Sequence, residues 1–332
     1  MKLFLRIVKW TAVVLVVLVA GLYAFVELTW DRRYEAPYPQ ISASTDSAVI
    51  ARGKYLAFGP AHCATCHVPM DKIRAVEDGL EMPLSGGWEL TLSGFGTFRA
   101  PNLTPDEETG IGKQSDEELA RALRHMVASD GRFLPPFMPF QEMSDEDLTA
   151  VISFLRSQPP VRNAVKRSEL GFIARALVAF GMLGPEGPKR TPARSVPRDA
   201  SKEYGRYLAY NIGNCLTCHT QMDPNTAELI GEHFAGKGVF EPDAFSEGYS
   251  FVSPNLTPDP STGIIAGWTE EAFVARFRNG RVHRGSPMPW GAFSRMDEVD
   301  LRALYRFFKS LDPVRNKVEK TVFEPGQELP KF

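Results

Sequence analysis

Five short segments recur in the same order about 150 residues apart along this 332-residue chain. That spacing marks one domain copied once rather than a many-unit solenoid. Gly53-Lys54-Tyr55-Leu56-Ala57 returns as Gly205-Arg206-Tyr207-Leu208-Ala209, and Cys63-Ala64-Thr65-Cys66-His67 as Cys215-Leu216-Thr217-Cys218-His219. Pro101-Asn102-Leu103-Thr104-Pro105-Asp106 returns as Pro254-Asn255-Leu256-Thr257-Pro258-Asp259, and Thr109-Gly110-Ile111 as Thr262-Gly263-Ile264. Both copies close on Pro-Val-Arg-Asn, at 160–163 and 313–316.

Each copy carries the same helical punctuation. A first helix leads into the cysteine pair, over about Ser47 to Phe58 and Lys202 to Asn211. A second starts at Ser115, with Glu118 three residues on, and at Thr269, with Glu270 and Glu271 in its first turn; both are N-terminal capping patterns. A closing helix runs from about Ser144 to Ser157, with Leu148, Val151, Ile152 and Leu155 on one face. Leu301, Leu304, Tyr305 and Phe308 mark its counterpart. No convincing alternating run argues for strands, so the expected fold class is all-α. Hydrophobic residues make up 43% and charged ones 23%, which suits packed domains rather than disorder. A net charge of −2 gives no reason to expect a nucleic-acid partner.

Trp10 to Val26 is an apolar run that spans a bilayer once its flanks are added. Lys2, Arg6 and Lys9 precede it and favour a cytoplasmic N-terminus with the rest of the chain outside. A cleaved signal peptide is the rival, but Tyr23 and Phe25 surround Ala24 and leave no clean small-residue cleavage site. The expectation is an uncleaved anchor followed by a short Pro-containing tether. Between the copies, Ser168 to Leu183 is apolar apart from Glu169 and Arg175 and short for a span. A helix packed on a domain is preferred there over contact with the bilayer surface. Gly184 to Pro197 reads as the linker proper.

The four cysteines fall as two pairs with none left over for a disulfide framework. C-x-x-C-H is the attachment pattern for c-type haem. Two thiols on one turn can add to the vinyl groups along one haem edge, and the next histidine is then held under the iron. Zinc needs about four ligands, and each copy offers one pair. A thioredoxin-like dithiol belongs near a βαβ pattern, which is not visible here. Two covalent haems are therefore expected, on Cys63, Cys66 and His67 and on Cys215, Cys218 and His219.

An electron carrier fills the second axial position too, and methionine opposite histidine raises the potential. Met138, in Phe137-Met138-Pro139-Phe140, and Met288, in Pro287-Met288-Pro289-Trp290, recur about 70 residues after their histidines. The neighbouring prolines would steady each sulfur. Met143 and Met296 also recur and are rivals without flanking prolines, whereas Met126 and Met182 fit core packing. His62, His125, His233 and His283 have no counterpart in the other copy and stay unassigned.

Each half resembles a class I cytochrome c domain, and the order of motifs is similar to the multihaem cytochrome c subunits of membrane-bound bacterial dehydrogenases. The resemblance covers about Ser47 to Asn316. The expected division is an anchor at 1–30, a tether at 31–45, cytochrome c domains at 46–163 and 198–318, a linker with a short apolar helix at 164–197, and a tail at 319–332. The resemblance implies that the carbonyls of Pro101 and Pro254 accept a hydrogen bond from the axial imidazoles. Gly53 and Gly205 would let the first and closing helices approach closely. Subunits of this type often carry three haems, and this chain has two motifs. The implied role is electron transfer, without catalysis of its own, on the periplasmic side of a bacterial inner membrane. Electrons would pass from a dehydrogenase to a terminal oxidase or soluble cytochrome. A dihaem peroxidase-like enzyme is the alternative, and a sensor or structural haem protein ranks last.

Overall fold

The structure is a computed structural model and describes every residue except 224–227, 244, 284 and 331. Helix α1, Lys2–Thr29, is apolar enough to cross a membrane and stands clear of the rest over most of its length. The chain then runs without regular structure to α2, Ser47–Phe58, whose N-cap Asp46 accepts a hydrogen bond from the Ala48 N–H at 2.7 Å. After the first cysteine motif come a short α3, Ile73–Glu77, and a hairpin of β1, Glu89–Leu92, and β2, Gly96–Arg99. Helix α4, Asp116–His125, begins at a complete capping box of Ser115 and Glu118, and α5, Asp145–Ser157, begins at Ser144.

The stretch between the copies returns to the first half before leaving it. Strand β3, Glu169–Leu170, pairs antiparallel with β2, and α6, Phe172–Ala179, packs beside α1. The following segment is pinned as well. The carbonyls of Ala193 and Arg194 accept the free N–H groups of Asp145 and Glu146 at the start of α5, each at 3.0 Å.

The second half repeats the order. Helix α7, Lys202–Tyr207, widens into a π turn at Leu208–Ile212, and α8, Cys215–Cys218, carries the second motif. Strands β4, Val239–Phe240, and β5, Ser250–Val252, precede α9, Glu270–Arg278, which is capped by Thr269. A short α10, Trp290–Phe293, has no helical counterpart in the first half, where only two residues separate Phe140 from Met143. Helix α11, Glu298–Lys309, closes the half, and β6, Val322–Phe323, adds a third strand as β3 does.

These two small sheets depart from the all-α expectation. Their strands are two to four residues long, too short for an alternating pattern to register.

In both halves the first and closing helices cross at a glycine. A Cβ on Gly53 would lie 1.8 Å from the Ala150 carbonyl oxygen, and one on Gly205 would lie 1.9 Å from that of Ala303. Backbones this close admit no side chain, which is the role the resemblance gave these glycines. A single buried cluster, including Leu56, Leu148 and Ile152 from one half and Leu208, Leu301 and Leu304 from the other, runs through both. Each half buries roughly the same face of its closing helix against its first.

Candidate haem sites

Both C-x-x-C-H motifs sit on one tight turn, entered through a residue held in the left-handed region, His62 at φ 40° and Asn214 at φ 50°. The turn closes when the N–H of His67 donates to the Cys63 carbonyl and that of His219 to the Cys215 carbonyl, each at 2.9 Å. Both cysteines and the histidine thus leave the turn on adjacent bonds.

The imidazoles are oriented identically. His67 Nδ1 lies 2.9 Å from the Pro101 carbonyl oxygen and His219 Nδ1 lies 3.1 Å from that of Pro254. A carbonyl can only accept, so Nδ1 carries the proton and Nε2 keeps its lone pair. Burial pulls both histidines below the ordinary imidazole value, which keeps them neutral. A neutral ring with its second nitrogen free and its orientation fixed from behind is what an axial ligand requires.

Three of the repeated motifs converge to hold that proline in place. Asn102 Nδ2 donates to the Val161 carbonyl at 2.8 Å and to Thr109 Oγ1 at 3.1 Å, and Asn255 makes the same two bonds to Val314 and Thr262. Asn163 Nδ2 reaches the Ser85 carbonyl at 2.9 Å, and Asn316 Nδ2 reaches that of Ala235 at 2.8 Å. The segments Pro-Asn-Leu, Thr-Gly-Ile and Pro-Val-Arg-Asn recur together because they form one hydrogen-bonded knot.

Two glycines in this knot escaped the sequence reading. Gly86, at φ 73°, and Gly236, at φ 83°, donate their N–H groups to the carbonyls of His67 and His219 at 2.9 and 2.8 Å. A Cβ would stand 2.5 Å from Pro101 and 2.7 Å from Pro254. Each glycine therefore clamps a histidine and its proline together. The sequence signal for them is weak, since they stand 19 and 17 residues after their histidines, among other glycines.

In the second half the motif opens on a cavity of about 280 Å³, lined mostly by apolar groups and including Cys215, Cys218, His219, Met288 and Met296. Met288 is half-buried, between Pro287 and Pro289, while Met296 is fully buried at the head of α11. In the first half Met138 is half-buried against the same core as Cys63, and Met143 is fully buried. Burial pushes the thiols of Cys63, Cys66 and Cys215 up to about 12 and that of Cys218 up to about 11. As uncharged thiols they match the apolar slot they line. The apolar lining, the paired thiols and the free imidazole nitrogen together fit a covalently held haem.

His62, left unassigned from sequence, lines the cavity of the other half. Its Nδ1 lies 3.1 Å from the Pro60 carbonyl, and its ring meets Phe293 edge-on at 5.6 Å. Pro60 lines the same cavity. The segment entering the first motif therefore abuts the segment entering the second. Of the other histidines, His233 Nδ1 lies 3.0 Å from the Tyr210 hydroxyl, and His283 is exposed on the rim of the second cavity.

Residues 50–159 match the family model described as Cytochrome c. Among curated proteins it is similar to "Diheme cytochrome c-type" of Cereibacter sphaeroides, at 29% identity over 92% of this chain and 98% of that protein. It is also similar to the cytochrome c subunit of gluconate 2-dehydrogenase of Pantoea cypripedii, at 29% identity over 86% of this chain and 64% of that one. A third relative is the cytochrome c subunit of the quinone alcohol dehydrogenase of Gluconacetobacter polyoxogenes, at 28% identity over 85% of this chain. The match spans 60% of the length of that subunit.

Proposed function

We propose that this chain is a membrane-anchored dihaem cytochrome that takes electrons from a dehydrogenase and passes them to a terminal oxidase or soluble cytochrome. The observation that carries the reading is the duplicated imidazole setting, with Nδ1 of His67 and of His219 each bonded to a proline carbonyl and Nε2 left free. One haem would be held by Cys63, Cys66 and His67 in the domain at 46–163, the other by Cys215, Cys218 and His219 in the domain at 198–318. Bound there, each haem supplies one-electron redox chemistry.

Met138 and Met288 are proposed as the second axial ligands. Pro139, and Pro287 with Pro289, restrict the backbone beside them. Helix α1 would anchor the chain in the inner membrane with both haem domains on the periplasmic side. A dehydrogenase as donor is supported by relatives that are themselves named as dehydrogenase cytochrome subunits.

The test is to mature the full chain in a host competent for c-type haem attachment and determine its mass and spectrum. Two covalent haems, both low-spin with a methionine-to-iron band in the red, are expected. One covalent haem would overturn the dihaem reading, and a high-spin iron that turns over hydrogen peroxide would favour the peroxidase reading instead.

A further inference from the structure

Helix α6 follows β3 as an eight-residue helix with little polar character, Phe172-Ile173-Ala174-Arg175-Ala176-Leu177-Val178-Ala179. Ala174, Val178 and Ala179 are buried, and Val178 belongs to a small core with Met126 and Phe133. The opposite side is less covered. Phe172 is 40% exposed, Ile173 46%, Phe180 56% and Met182 75%. Ile173 and Phe180 lie seven positions apart, two helical turns, with half-buried Leu177 between them, so these three share one apolar face.

The position of this face gives it meaning. Phe172 stacks on Tyr23 with ring centroids 5.7 Å apart, and Phe180 meets Phe25 at 5.3 Å. Tyr23 and Phe25 lie in the last turns of the apolar run of α1. Just beyond them, Arg175 pairs with Glu27 at 2.6 Å, and Arg32 donates to the Ala179 carbonyl at 2.6 Å. The tip of the β1–β2 hairpin joins the same surface. The Gly171 N–H donates to the Phe95 carbonyl at 2.7 Å, and Leu92 and Phe95 are each 40% exposed. The six side chains Leu92, Phe95, Phe172, Ile173, Phe180 and Met182 thus extend sideways from the outer end of α1.

We infer that α6 and the hairpin tip are a second membrane contact, immersed in the outer-leaflet boundary of a phospholipid bilayer beside α1. The inference rests on reading α1 as an uncleaved anchor. With α1 in place, a helix stacked on Tyr23 and Phe25 is held at the depth where acyl chains meet headgroups, which is where interfacial helices bury their apolar face. Arg32 and Arg175 occupy the level at which basic side chains meet phosphate. Two contacts fix the tilt of the haem-bearing body over the membrane, whereas a single helix on a tether leaves it free to swing.

The test places nitroxide labels on the haem-loaded full chain, whose own cysteines are blocked as thioethers, in phosphatidylcholine–phosphatidylglycerol nanodiscs. Labels at Ile173→Cys and Phe180→Cys are compared with Val16→Cys in the anchor and Lys189→Cys in the linker. At 173 and 180, collisions with oxygen should exceed those with a water-soluble nickel complex several-fold relative to 189, approaching the ratio at 16. If 173 and 180 match 189 while 16 reports lipid, the second contact is wrong and the anchor stands. Labels at 173 and 180 shielded from both reagents would mean that protein covers the face, which also overturns the inference. Water access at 16 would overturn the anchor and this contact together.

Discussion

The Tyr207 hydroxyl donates to Asp147 Oδ2 at 2.8 Å across the boundary between the halves and accepts the N–H of Ser144 at 3.0 Å. Tyr55, its counterpart in the repeat, donates to Asp300 and accepts the N–H of Asp297 at 2.9 Å. Each half thus caps the closing helix of the other. Within its own half, an arginine pairs with each of these carboxylates, Arg52 with Asp147 at 2.8 Å and Arg198 with Asp300 at 3.0 Å.

Removing one of these hydroxyls leaves buried acceptors short of a donor. Burial, reinforced by the Asp147 charge, raises the Tyr207 hydroxyl above the ordinary phenol range, so it stays a donor at every working pH. Tyr207→Phe should cost about 2 kcal/mol, the scale for a lost bond to a buried charged group, and Tyr55→Phe a similar amount. Urea midpoints of the haem-loaded protein, read by circular dichroism, check this.

Gly53→Ala and Gly205→Ala each force a Cβ against backbone that cannot retreat without separating the helices. A loss of about 3 kcal/mol is expected for each, at the upper end for an overpacked core. Gly267→Ala is the control, because nothing lies within 4 Å of its Cβ position, and it should be close to neutral.

Axial ligation predicts separable spectra. Met288→Ala should remove the methionine-to-iron band of one haem and leave the other, and Met138→Ala the reverse. Replacing either methionine by histidine should lower that haem's potential. His62→Ala should shift the potential of the second haem, whose cavity it lines. Redox titration followed at the separate bands reads each outcome.

Acid should act through a matched pair of carboxylates. Hydrogen bonds from the Thr109 hydroxyl and N–H hold Asp106 below the usual carboxylate range, and the Thr262 hydroxyl and N–H do the same for Asp259. A carboxyl depressed in the folded state stabilises above its unfolded value of about 3.9 and loses that contribution as pH falls through the folded value. The contribution of these two carboxylates should therefore be constant from neutral pH down to about 5 and decline below about 4. Asp106→Asn with Asp259→Asn should flatten that decline, as melting temperatures against pH would reveal.

Features written in neighbouring residues were legible from the sequence. The Ser115–Glu118 cap, the helix faces and the cysteine turns each need only a few residues to declare themselves. The strands were not, because two to four residues carry no period. The exchange of Tyr55 and Tyr207 was equally hidden: Tyr55 and Asp300 lie 245 positions apart, and no periodicity relates one copy's surface to the other's. His62 had no repeat partner, and its role depends on how the halves face each other rather than on anything local. Gly86 and Gly236 stand at unequal distances from their histidines, and their shared role appeared only with the prolines they press against.

The mutual capping of closing helices is self-complementary, in that one patch serves as both donor and receiver, as at the axis of a twofold dimer. Covalent joining turns such an association into an intramolecular one governed by the connecting segment rather than by dilution. The two halves, with the haem each is proposed to carry, are thus kept as a pair even at the lowest copy number a cell maintains.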